Sequence, residues 1–134
     1  MSENARTALV IDDDCHIVEL LTVLLESRGF TVDVLRDGIE AVELQRDYAV
    51  ILLDLNMPVF DGERLTDYWK LTDPEILKRV IILSGYSRFA QGRLFETFAT
   101  VQKPFAHGEL LRLVEACACQ PRNGEHPPEI GHLP

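Results

Sequence analysis

The chain has 134 residues, about one domain's worth, with 46% apolar and 26% charged residues, the mix of an ordinary soluble protein with one core. No apolar run approaches the roughly 20 residues that a membrane helix needs, and Met1 to Thr7 lacks the apolar stretch of a signal peptide, so a cytoplasmic location is expected. Lysine and arginine total 13 against 22 acidic residues, a net charge of −9 with no basic run, which argues against direct binding to nucleic acid.

Along the chain, short continuous apolar runs alternate with helical spacing. Ala8 to Ile11 reads as a strand buried on both faces. Ile17, Leu20, Leu21, Leu24 and Leu25 then follow the spacing of a buried helix face, with Gly29 as a stop signal. Thr31 to Leu35 alternates, as an edge strand does. Asp37-Gly38 opens a second helix carrying Ile39, Val42 and Leu44. Ala49 to Leu53 is the third strand, and Leu65, Tyr68 and Trp69 mark a third helix ending near Asp73-Pro74. Val80 to Leu83 is the fourth strand. Phe89, Leu94, Phe95 and Phe98 mark a fourth helix, weakened by Gly92. Thr100 to Gln102 is a short fifth strand, and Leu110, Leu113, Val114 and Cys117 mark the last helix. Gln120 to Pro134 holds four of the seven prolines and reads as a flexible tail. Strand and helix repeated in this way give an α/β, doubly wound (βα)5 domain over residues 6 to 119, its strands parallel and its helices on both faces.

Ligands of open parallel sheets bind at the carboxyl ends of the strands, so the residues that end each apolar run matter most. Strand one leads into Asp12-Asp13-Asp14, strand three into Asp54, strand four into Ser84-Gly85 and strand five into Lys103-Pro104. Carboxylates gathered at one edge repel one another, and a hard divalent cation relieves the repulsion. Magnesium suits such a site because it takes oxygen ligands, often one or two carboxylates together with phosphate oxygen.

The ordered set Val10-Ile11-Asp12-Asp13-Asp14, Leu52-Leu53-Asp54-Leu55-Asn56-Met57-Pro58 with Gly62, Ile82-Leu83-Ser84-Gly85 and Lys103-Pro104-Phe105 resembles the CheY-like receiver domains of bacterial response regulators in two-component signalling. The resemblance covers nearly the whole chain apart from the tail. It implies a flavodoxin-like sheet of strand order 2-1-3-4-5, a receiver over residues 1–119, and a tail or linker over 120–134. It also implies Asp54 as phosphoacceptor, Asp13 as direct magnesium ligand, Asp12 acting largely through water, and the Asn56 backbone carbonyl as a further metal oxygen. Ser84 and Lys103 would contact the phosphoryl group, and Gly85 would leave its approach open. The Lys103-Pro104 bond would be cis. Such a domain is no free-standing enzyme, because it promotes only its own phosphorylation and dephosphorylation. Its donor would be a sensor histidine kinase, a histidine phosphotransfer protein or a small acyl phosphate. Its target would be a protein docking on the face of the fourth helix, fifth strand and fifth helix.

Two positions depart from the family or carry extra information. Thr100 stands three residues before Lys103, where many receivers carry an aromatic, which implies an atypical readout. Tyr86, two past Ser84, is placed to hinder an attacking water and slow phosphate loss; a plain exposed loop aromatic is the alternative. His16 and His107 read as solvated helix-end residues, Tyr68 and Trp69 as packing residues, and Cys15, Cys117 and Cys119 as reduced thiols. A phosphatase of the haloacid dehalogenase type would need a second aspartate where Asn56 stands, and a cap domain for which there is no room. An interaction-only receiver sits poorly with a complete residue set. Two contexts stay open: a stand-alone receiver signalling through protein contacts, and the receiver of a longer DNA-binding regulator or hybrid kinase.

Overall fold

An apolar run of four or five residues is stable as a strand only if both of its faces are covered. In the computed structural model, which describes residues 6–42, 47–55, 62–85 and 96–120, three such runs lie at the centre of a sheet of five strands. The five are β1 (Thr7–Ile11), β2 (Thr31–Leu35), β3 (Val50–Asp54), β4 (Val80–Ser84) and β5 (Ala99–Gln102). All neighbours pair in parallel, in the order β2-β1-β3-β4-β5. Every residue of β1, β3 and β4 is buried, whereas the edge strands β2 and β5 are partly exposed.

Successive side chains of a strand point to opposite faces, so the sheet carries two cores. Ala8, Val10, Leu52, Ile81, Leu83 and Val101 face one layer, built with Val18, Leu21 and Leu25 of α1 (Cys15–Glu26) and with Leu110, Val114 and Cys117 of the final described helix (His107–Ala118). Leu9, Ile11, Ile51, Leu53 and Ile82 face the other, built with Ala41 of α2 (Gly38–Val42) and with Leu65 and Trp69 of α3 (Gly62–Thr72). Gly29 ends the turn after α1 at φ +85°, a left-handed conformation that glycine adopts without a Cβ penalty.

Four details differ from the sequence expectation. The buried spine of α1 is Val18, Leu21 and Leu25, with Leu20 and Leu24 only half-buried. Ile39 is 49% exposed, and α2 meets the core through Ala41 instead. A 3-10 helix, Pro74–Arg79, lies between α3 and β4 where a simple helix end was expected; Leu77 is its buried anchor. Phe98 belongs to no described helix: its backbone N–H donates to the carbonyls of Leu77 and Val80 at the entry to β5, and its ring packs against the first core. Leu44 and the segment holding Phe89, Gly92, Leu94 and Phe95 lie outside the described residues, as does the tail beyond Gln120. Among the described residues no helix is long and apolar enough to cross a membrane.

Candidate functional site

The strand order places β1 and β3 side by side at the centre, with β4 and then β5 beyond β3. Their carboxyl ends therefore deliver Asp12, Asp54, Ser84 and Lys103 to one edge of the sheet. Asp54 and Ser84 are the last residues of their strands and are 3% and 0% exposed. Asp12 follows β1 directly and is 1% exposed, its backbone N–H donating to the Leu35 carbonyl at 3.1 Å. Asp13 is exposed. One carboxylate oxygen from each of Asp12, Asp13 and Asp54 lies within 4.8 Å of the others.

Lys103 enters this cluster from β5. Its backbone N–H donates to the Ser84 carbonyl at 2.7 Å, which continues the β4–β5 pairing one step past the strand end. Its Nζ then reaches Asp54 Oδ1 at 3.1 Å and lies 3.8 Å from Asp12 Oδ2. The Lys103-Pro104 bond is cis. One ammonium against three carboxylates leaves the cluster negative. Burial pushes the Asp12 carboxyl up to about 6, and the charge of Asp54 adds to the rise; the Asp14 backbone N–H and Lys103 act against it.

Asp12 Oδ1 accepts the Asp14 backbone N–H at 2.9 Å, but its buried Oδ2 has no hydrogen-bond partner among the described residues. A buried acceptor left over beside two further carboxylates fits a hard divalent cation with oxygen ligands. Of the expected metal ligands, Asp12, Asp13 and Asp54 are thus brought together, and Asn56 lies outside the described residues. The Ser84 hydroxyl donates to the Gly85 carbonyl at 3.0 Å. Tyr86 also lies outside the described residues. Thr100 is exposed on β5, paired across the sheet with Ile82.

Two residues at this edge carry more than their sequence context suggested. Gly62, the first residue of α3, donates its N–H to the Leu55 carbonyl at 3.1 Å and packs on the backbone of Asp54 and Leu55. Its place in the ordered motif was legible, but its contact was not. Asp14 caps α1: its Oδ1 accepts the backbone N–H groups of His16 and Ile17 at 2.9 and 3.4 Å. The signal for that role was an aspartate just before a helical pattern. His16 is exposed as expected, although ligand atoms of Asp14, Cys15 and His16 do lie within 4.8 Å of one another. His107 is exposed, Trp69 is a core residue and Tyr68 packs against it. The three cysteines are free thiols.

The chain is similar to known proteins over most of its described length. The family model described as "Response regulator receiver domain" matches residues 8–115. A transcriptional regulatory protein CpxR homolog of Haemophilus influenzae is 38% identical over 110 residues, covering 81% of this chain and 48% of its own length. The chain spans about half the length of the curated relatives it matches. The receiver domain of sensor histidine kinase PA1611 from Pseudomonas aeruginosa PAO1, solved with a magnesium ion in its active site cleft, superposes with a TM-score of 0.74 at 26% identity, covering 86% of this chain and 98% of that one. The response regulator protein TrrA from Thermotoga maritima, solved with Mg(2+)-BeF, superposes with a TM-score of 0.73 at 27% identity, covering 84% and 98%.

Proposed function

Because the chain belongs to the response regulator receiver family of two-component signal transduction, we propose that Asp54 accepts a phosphoryl group in a magnesium-dependent reaction. The donor is a phosphohistidine of a sensor histidine kinase or histidine phosphotransfer protein, or a small acyl phosphate. The observation that carries this reading is the setting of Asp54. It is a buried carboxylate at the end of a central strand, 3.1 Å from the Lys103 ammonium and beside the carboxylates of Asp12 and Asp13. Those three aspartates, with the backbone carbonyl of Asn56, would hold the cation, which when bound neutralises charge on the phosphoryl oxygens. The magnesium found in the PA1611 receiver and in the TrrA complex supports this assignment.

The remaining steps fall to this chain's own side chains. An Asp54 carboxylate oxygen forms a bond to phosphorus as the bond to the donor's imidazole nitrogen or acyl oxygen breaks, and the leaving group keeps the electron pair. Lys103, already at hydrogen-bond distance from Asp54, offsets the charge that builds on the transferred group. The Ser84 hydroxyl, which donates to Gly85 in the unmodified protein, gains a phosphoryl oxygen as a second possible acceptor. A contact present in one state and absent from the other is what shifts a two-state equilibrium. The chain is then a phosphoacceptor domain over residues 1–119 with a tail or linker after it, acting in the cytoplasm. It signals through a protein partner on the face of β5 and the helix His107–Ala118, together with the fourth helix expected from the sequence, which lies outside the described residues. With exposed Thr100 on β5, that readout proceeds without the usual aromatic.

Incubation with magnesium and a small acyl phosphate is expected to add one phosphoryl mass, which peptide mapping places on Asp54. No gain, from the acyl phosphate or from a histidine-phosphorylated donor, would overturn the proposal. A Lys103→Gln variant is expected to bind magnesium at least as tightly as the wild type, since it loses a competing cation. Its phosphorylation should slow by about 100–1,000-fold, the order seen when one charge-stabilising donor is removed. A magnesium titration beside a phosphorylation time course checks both parts, and an unchanged rate would remove Lys103 from the chemistry.

A further inference from the structure

Asp14 is the third carboxylate of Asp12-Asp13-Asp14, and the three have different fates. Asp12 is buried at the sheet edge, Asp13 is exposed within the three-carboxylate cluster, and Asp14 faces away from that cluster into the first turn of α1. Asp14 has an extended backbone (φ −87°, ψ 110°), as a residue flanking a helix start does. Its side-chain Oδ1 accepts the N–H groups of His16 and Ile17, and its backbone carbonyl accepts the N–H of Val18 at 3.0 Å. Its own N–H points the other way, to Asp12 Oδ1 at 2.9 Å. One residue therefore joins the rigid first turn of α1 to the carboxylate of Asp12.

That N–H selects which Asp12 oxygen is occupied. With Oδ1 engaged, Oδ2 is left buried and without a hydrogen-bond partner among the described residues, on the side of Lys103 Nζ. The terminal torsion of an aspartate is broad and roughly two-fold, so nothing intrinsic to Asp12 holds its carboxylate in one orientation. The direction of the Asp14 N–H depends on the φ of residue 14, and the cap fixes that angle. Groups behind the direct ligands, by orienting them, commonly change metal affinity by about 10–100-fold.

We propose that Asp14 is a positioning residue for the divalent cation: by capping α1 it aims its own N–H at Asp12 Oδ1 and so presents Oδ2 to the metal. The inference rests on the magnesium site proposed above. It separates two roles that a third acidic residue can play here, a geometric one through the cap and an electrostatic one through added negative charge. Asparagine keeps the cap and removes the charge. Glutamate keeps the charge, but its extra methylene carries the carboxylate past the N–H groups of the first turn.

The test is calorimetric titration of the full chain with magnesium chloride at neutral pH and about 0.15 M salt, where exposed charges more than about 8 Å apart are largely screened. Wild type, Asp14→Ala, Asp14→Asn and Asp14→Glu are compared below the melting temperature of each. Geometric positioning predicts wild-type affinity for Asp14→Asn. It predicts magnesium binding weaker by about 10–20-fold for Asp14→Ala and Asp14→Glu, at the low end of the range for such orienting groups. In metal-free protein, the Asp14 amide proton should exchange faster in Asp14→Ala than in Asp14→Asn. Weak binding by Asp14→Asn with retention by Asp14→Glu would overturn the inference in favour of charge. Equal affinity in all four would overturn it outright while leaving the magnesium site intact. A wild type that binds no magnesium would overturn that site and this inference together.

Discussion

Asp12→Asn is expected to make the metal-free protein more stable at pH 7 while removing most of its response to magnesium. The Asp12 carboxyl is 1% exposed and, chiefly by burial, is raised from 3.8 to about 6. The folded state therefore binds this proton more tightly than the unfolded chain does. A carboxyl shifted in that direction carries no penalty below about pH 4, where both states are protonated. The penalty grows as pH rises from about 4 to 6 and is present in full above the folded value. A shift of about two units corresponds to an upper limit of about 3 kcal/mol. That shift already contains the attraction to Lys103. Asparagine keeps the Oδ1 acceptor for the Asp14 N–H but sets a buried amide without a hydrogen-bond partner beside the Lys103 ammonium, so the net gain at pH 7 is expected to be about 1–2 kcal/mol.

The check is unfolding in chelator at pH 7 and at pH 4.5. The advantage of the asparagine variant should be largest at pH 7 and shrink at pH 4.5. Added magnesium should reverse the order, because a cation at about 100 times its dissociation constant adds about 2.7 kcal/mol to whichever protein binds it. A variant that is less stable at pH 7, or one equally stabilised by magnesium, would contradict the account of Asp12 as a strained, metal-seeking carboxylate.

Gly62→Ala is expected to lower both stability and phosphorylation. On an exposed helix, alanine in place of glycine adds about 1 kcal/mol of stability. Here the added Cβ would sit 2.6 Å from the Asp54 carbonyl oxygen, 2.8 Å from Leu55 Cα and 3.0 Å from Leu55 Cδ2. Two of those three atoms are backbone at the end of β3, which is held on both sides by β1 and β4. The strand has no free direction in which to yield, so the clash outweighs helix propensity. A net loss of about 1–3 kcal/mol is expected from overpacking. The displaced backbone is that of the proposed phosphoacceptor itself, and a misplacement of about 1 Å at a reacting group can slow a reaction by about 100-fold. Denaturant midpoints and phosphorylation time courses measure the two effects; an alanine variant as stable and as reactive as the wild type would show that α3 can move away freely.

Much of this site was legible from residue order because the fold places function at strand ends. Asp12, Asp54, Ser84 and Lys103 each follow or end an apolar run, and a parallel sheet brings those ends to one edge. The weaker readings came where local pattern had no tertiary partner to decide it. Ile39 fits a helix face, yet the short α2 turns Ala41 inward. Phe98 sits at helical spacing from Phe95 and Leu94, but its N–H is taken by the carbonyls of Leu77 and Val80, which commits it to the sheet. The 3-10 turn after Pro74 was missed because proline marks where a helix stops and leaves the shape of the next residues open.

By itself, then, the order of residues determined the alternation of strand and helix and the chemistry delivered at the strand tips. Both depend on local periodicity and on which residue comes next. Only the tertiary structure decided the separate fates of three consecutive aspartates. Asp12 is buried with one oxygen that has no hydrogen-bond partner among the described residues, Asp13 is exposed beside it, and Asp14 turns away to cap α1. It also decided that Gly62 must lack a side chain and that Lys103 spans from β5 to Asp54. Those outcomes depend on distances between segments far apart in sequence, and periodicity within any one segment carries no record of them.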